Sequence, residues 1–146
     1  MIEVLRNTIE VPAGKGVYVY RVQDQTGRGP FIKDFTQRWH QERTPQEYAD
    51  LPPFVKEWPD FEMPEYPPPF VGCACTSLDQ LRLWFNPREY YKLLKYHYEC
   101  YRLGPVRILH ESRVQCIYGS PLKSIPGKKV QLYPHSQNPN SRIIIP

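Results

Sequence analysis

The chain has 146 residues, of which 40% are hydrophobic and 14% aromatic, with a formal net charge of +4. That length fits a single domain, residues 1–146, and such apolar content excludes a wholly disordered chain. No apolar run reaches the roughly 18 residues of a membrane-spanning helix, and the start, Met1-Ile2-Glu3-Val4-Leu5-Arg6, lacks the basic-then-apolar layout of a secretory signal. The expectation is therefore a cytoplasmic protein.

A first short strand is expected near residues 2–5 or 8–11. Residues 17–22, Val-Tyr-Val-Tyr-Arg-Val, are β-branched and aromatic and predict a strand. It is left through the turn-rich residues 24–30. Residues 31–41 show weak helical spacing through Ile32, Phe35 and Trp39. Thr44-Pro45-Gln46-Glu47 is a clearer signal, with a cap, a first-turn proline and a capping-box glutamate. The helix it opens should end before Pro52-Pro53.

Residues 52–69 hold seven of the 17 prolines, interspersed with Phe54, Trp58, Phe61 and Tyr66 and with acidic residues. Proline at that density argues against regular structure. The aromatics argue against a free linker, so an extended strap lying over the domain is expected. An alternative is a peptide-like ligand for a partner's aromatic groove.

Residues 70–76 read as a short buried strand. Ser77-Leu78-Asp79-Gln80 predicts a capped helix with Leu78, Leu81, Trp84 and Phe85 on one face. Asn86-Pro87-Arg88-Glu89 predicts a second helix. Its stripe runs through Tyr91, Leu94, Tyr98 and Tyr101 to a stop at Gly104-Pro105. Strands are expected at 106–109, 114–118 and 129–133. Residues 134–146 form a polar tail ending in Ile143-Ile144-Ile145. The sum is an α+β domain: a small mixed or antiparallel sheet with two or three helices and a proline-rich strap.

Cys73, Cys75, Cys100 and Cys116 should stay reduced in the cytoplasm. With one close pair spaced by a single residue they lack the two ligand pairs of a structural zinc site, so no metal is expected. Packing as small core side chains is the favoured reading. Gly27-Arg28-Gly29 lacks the third glycine of a phosphate-binding loop and reads as a turn.

The charge is uneven. Residues 1–70 carry 8 Lys or Arg against 11 Asp or Glu, while residues 71–146 carry 11 against 4. Arg88, Lys92, Lys95 and Arg102 interleave with Tyr90, Tyr91, Tyr96, Tyr98 and Tyr101. Cations can meet phosphates while rings stack on bases, which makes this segment a candidate nucleic-acid surface.

Two resemblances sharpen the reading. A strand carrying Tyr20-Arg21, then a strand leading into Cys75-Thr76-Ser77, then late strands, resembles the arginine-serine-glutamate class of ADP-ribosyltransferases, the cholera-toxin-like group. That resemblance implies the fold of that group, NAD as cofactor, Arg21 on the phosphates, Thr76 and Ser77 at the nicotinamide pocket and Glu111 as the late carboxylate. Gln131 stands where the final strand of the motif has its glutamate, and an amide cannot supply that charge. The pattern Tyr20-Arg21-Val22-x-Asp24-x-x-Gly27-x-Gly29-Pro30-Phe31, followed by Ser77-Leu78-x-Gln80-Leu81-x-x-Trp84-Phe85, resembles small proteins of phages and prophages. It implies an accessory protein, without a cofactor, that binds a bacterial host protein or a nucleotide-like ligand, in some cases to inhibit host defence. Arg21, Arg28, His40 and Ser77 are the site expected on that reading.

Overall fold

The computed structural model describes residues 16–62, 70–120, 125 and 127–134. The expected first strand near 2–11, the end of the strap and the tail from residue 135 lie outside them.

Within this range the protein is α+β, built on an antiparallel, curled sheet. Its strands are β1 (Val17–Gln23), β2 (Phe70–Ala74), β3 (Glu99–Glu111), β4 (Cys116–Ser120) and β5 (Gly127–Lys129). The order is β1-β3-β4-β2, with β5 paired to β3. The curl closes where Tyr20 and Cys75 exchange backbone hydrogen bonds of 2.7 and 2.9 Å, bringing β1 back to the end of β2.

Closing the sheet creates two cores. Val19, Ala74, Leu103, Val106, Cys116 and Tyr118 pack together on one side. Val22, Cys75 and Cys100 face the other way, towards the helices, with Trp39, Leu81, Phe85, Tyr91 and Leu93. β4 is central and buried along its whole length. Strand alternation explains the split, because neighbouring residues of β1 point to opposite faces.

Four short α-helices are described, more than the two or three expected. They are α1 (Pro45–Asp50), α2 (Phe54–Glu57), α3 (Leu78–Trp84) and α4 (Pro87–Lys95). Thr44 and Asn86 make complete capping boxes with Glu47 and Glu89. Ser77 caps α3 by accepting from Gln80 N, but the Gln80 side chain reaches Thr76 instead of Ser77. The weak helical spacing at 31–41 yields only a single 3-10 turn, Thr36–Arg38.

Three expectations need correction. The second helix does not run to Tyr101; α4 ends at Lys95. His97 takes φ 66°, and the amides of His97 and Tyr98 bond back to the carbonyls of Leu94 and Leu93. This is a Schellman closure with histidine where glycine is usual.

Gly104-Pro105 is therefore not a helix stop but lies inside β3. There Val17 pairs with Val106 and Val19 with Leu103, so β3 holds one extra residue. That bulge re-aims the strand: Leu103 and Val106, three apart, reach the same core.

The strand expected at 129–133 lies earlier, at Gly127–Lys129, so the two ranges share only Lys129. Leu132 and Tyr133 are instead buried against the helices, where Tyr91 Oη donates to the carbonyls of Tyr133 and Pro134. The proline-rich segment also forms some regular structure, since Phe54–Glu57 is a helical turn. Glu57 Oε1 accepts from Ser112 Oγ and Gln115 Nε2, and Trp58 stacks on His110.

Candidate functional site

The end of β1 leads into a tight turn. Asp24 Oδ1 accepts from Thr26 N, Thr26 Oγ1 and Arg28 N. Burial raises the Asp24 carboxyl, and these hydrogen bonds outweigh it, so its pKa lies below the ordinary value. The turn directs residues 28–32 across the seam between β1 and β2.

Beneath this crossing lies a cleft of about 700 Å³. Val71, Gly72, Cys73 and Ala74 of β2 line it, α3 supplies Leu81 and Trp84 with Phe85 beyond it, and Phe31, Tyr48, Leu51, Pro53 and Phe54 complete the walls. Its volume is in the range of small-ligand sites.

Arg21 enters the cleft from β1. Its Nη1 donates to the Cys73 carbonyl at 2.6 Å, Nη2 to the Gly27 carbonyl at 3.2 Å, and Nε to Gln23 Oε1 at 3.1 Å. A guanidinium has five N–H groups, and these bonds to described residues take up three of them. Gly29 makes room for it, since a Cβ there would stand 3.2 Å from Arg21 Nη2. Arg28 also lines the cleft and is exposed.

The other end is organised by a residue outside the cleft lining. The Glu89 carboxylate is fully buried and accepts from Arg43 Nη2, from Gln41 N at 2.8 Å and from Asn86 N at 2.9 Å. Arg43 Nη1 lies 3.2 Å from His40 Nε2, so that nitrogen acts as the acceptor. Burial lowers the His40 pKa; Glu89 opposes this and Arg43 adds to it. Burial and Arg43 thus favour the neutral form of the His40 imidazole, which is set between Phe31 and Tyr48.

Of the residues singled out from sequence, the structure brings Arg21, Arg28 and His40 to one cleft. Ser77 and Thr76 lie outside its lining, and both serve the start of α3. Glu111 is exposed at the end of β3 and Gln131 is exposed beyond β5. The late carboxylate of the transferase motif is therefore not in the cleft. Arg88, Lys92 and Lys95 form an exposed face of α4, whereas Tyr90, Tyr91 and Tyr98 are buried. Arg102 lies on β3 with its guanidinium over the Tyr18 ring, 4.6 Å from the centroid.

Sequence reasoning missed Arg43, Tyr48 and Gln115 and placed Cys73 only as a small core side chain. Glu89 was visible only as a helix cap. Cys73 is held by burial at about 11 and Cys100 and Cys116 at about 12, so none is an activated thiol. Among the described residues no three His, Cys, Asp or Glu side chains gather as a metal site would require. No helix among them is long and apolar enough to cross a membrane.

The family model described as Bacteriophage T4 Y00F protein matches residues 15–122, which include both motifs and every element from β1 to β4. No curated protein and no solved structure gives a significant match. With most of its length matched, the chain belongs to the phage family of the Bacteriophage T4 Y00F protein.

Proposed function

We propose that this phage protein acts by binding a bacterial host factor in the cleft between residues 28–54 and the β1–β2 seam, and so modulates that factor. The observation that carries this reading is the convergence of Arg21, Arg28 and His40 on one largely apolar cleft. Apolar walls with a few placed polar groups are what a binding site requires. Transfer of ADP-ribose from NAD is less well supported, because Glu111 and Gln131 lie away from the cleft. The carboxylate that does line it, Glu47, accepts from Thr44 N as a helix cap.

The test is affinity capture from a bacterial host, with mass spectrometry of both proteins and extracted small molecules. Wild type is compared with Phe31→Asp. Phe31 is 53% exposed, so the variant should fold while placing a charge among Trp39, Trp84 and Phe85. One factor retained by wild type and lost by Phe31→Asp, at unchanged melting temperature, supports the reading. Identical captures by both proteins overturn it.

A further inference from the structure

We infer that the cleft takes an amphiphilic anion: one anionic head on an unbranched or aromatic apolar body. This rests on the reading of the cleft as a binding site and names its ligand class. The argument is one of charge left over. At the His40 end, Arg43 is already neutralised by the buried carboxylate of Glu89. At the other end stand Arg21 and Arg28, and among the described residues neither guanidinium has a carboxylate within 4.0 Å. The Asp24 carboxylate acts on Arg28 only through space and is held by the hydrogen bonds of its own turn, and the lining carboxylate of Glu47 caps a helix by accepting from Thr44 N. The partners of the Arg21 guanidinium are two carbonyls and an amide oxygen. These satisfy donors without cancelling charge. A cation so placed favours an anionic partner, and its planar fork suits a carboxylate or phosphate.

The apolar stretch between the two ends selects against a strongly polar ligand body, and of the polar lining groups, His40, Arg43, Glu47 and Gln115 are already bonded to protein groups. Phe31, Phe54, Leu81, Trp84 and Phe85 offer a body of ligand no hydrogen bonds apart from the Trp84 indole, which is already donated to the Val114 carbonyl. Each polar group of a sugar or base left unpaired there would cost about 1–3 kcal/mol. An alkyl or aryl body incurs no such penalty and gains from burial.

Titration calorimetry with decanoate, decyl phosphate, decanol and ATP separates the possibilities. Decanoate and decyl phosphate should bind at least about tenfold more tightly than decanol, a difference of about 1.4 kcal/mol. Arg28→Ala, at an exposed position, should bring that ratio towards one, and added salt should do the same. Decanol binding as well as decanoate overturns the charge selection while leaving the cleft as a binding site. ATP binding more tightly than decanoate overturns the amphiphile. Failure of all four to bind overturns both this inference and the cleft as the binding site for a small factor.

Discussion

Glu89 of α4 and Arg43 of the segment before α1 form an ion pair across 46 residues of chain, with the carboxylate fully buried. The pair joins the covering segment, residues 40–54, to the helical layer. Arg43 also donates to the Trp84 carbonyl, next to the wall of the cleft.

Breaking this pair from the arginine side should be severe. Arg43→Met leaves a buried charge and should cost about 3–5 kcal/mol of unfolding free energy. Adding Glu89→Gln to that variant removes the orphaned charge and should recover at least about 1 kcal/mol. Urea denaturation of the two variants checks this; a double variant less stable than Arg43→Met would contradict it.

The neutral state of His40 has a pH consequence. Its folded pKa lies below the ordinary histidine value of 6.5, so the unfolded chain takes up the proton first on acidification. The contribution is fully present above pH 6.5 and is lost as the pH falls from there through the lowered folded value. Urea midpoints measured across this range should fall for wild type. The slope should be shallower in His40→Gln.

Arg21 ties the β2 backbone at Cys73 to the turn at Gly27. Arg21→Ala should therefore lower stability by about 1.5–3 kcal/mol, as for loss of hydrogen bonds to a charged group. Amide exchange in residues 24–29 should accelerate. Unchanged exchange in that turn would mean that the guanidinium does not hold it.

Two positive-φ positions should respond oppositely. Gly104 has φ 151°, and a Cβ there would stand 2.7 Å from the Val17 carbonyl oxygen. Gly104→Ala should lose at least about 2 kcal/mol. His97 closes α4 at φ 66° and is exposed, so His97→Gly should gain about 0.5–1 kcal/mol. Thermal melts of both variants measure the signs directly.

The thiols should be slow to react in the native protein. Burial pushes Cys73 to about 11 and Cys100 and Cys116 to about 12, and raises Cys75 further. Modification by a thiol-specific disulfide reagent at neutral pH should run at least about tenfold slower than for an unperturbed cysteine. Cys73, the half-buried one, should react first. A bound ligand should protect it, because it lines the cleft.

Much of the local structure was legible from residues close in sequence. The caps at Thr44, Ser77 and Asn86 are contacts over three residues, and the turn around Asp24 spans four. β1 followed from its β-branched and aromatic run. The end of α4 was misread because Tyr98 and Tyr101 continue a helical spacing by coincidence. Cys100 of β3 faces the same core as Tyr98 just before the strand, while Tyr101 and Leu103 face the other. The signal that ends the helix is a histidine in a conformation that sequence assigns to glycine.

What the sequence by itself determined is the set of elements with local causes: an α+β chain, its capped helices and its first strand. Only the tertiary structure decided the closure of Tyr20 on Cys75, the pairing of Arg43 with Glu89 and the position of Arg21 over Cys73. Those contacts span about fifty residues. Their partners are chosen by the curl of the sheet and by the need to satisfy buried charge, neither of which leaves a periodic trace in the chain.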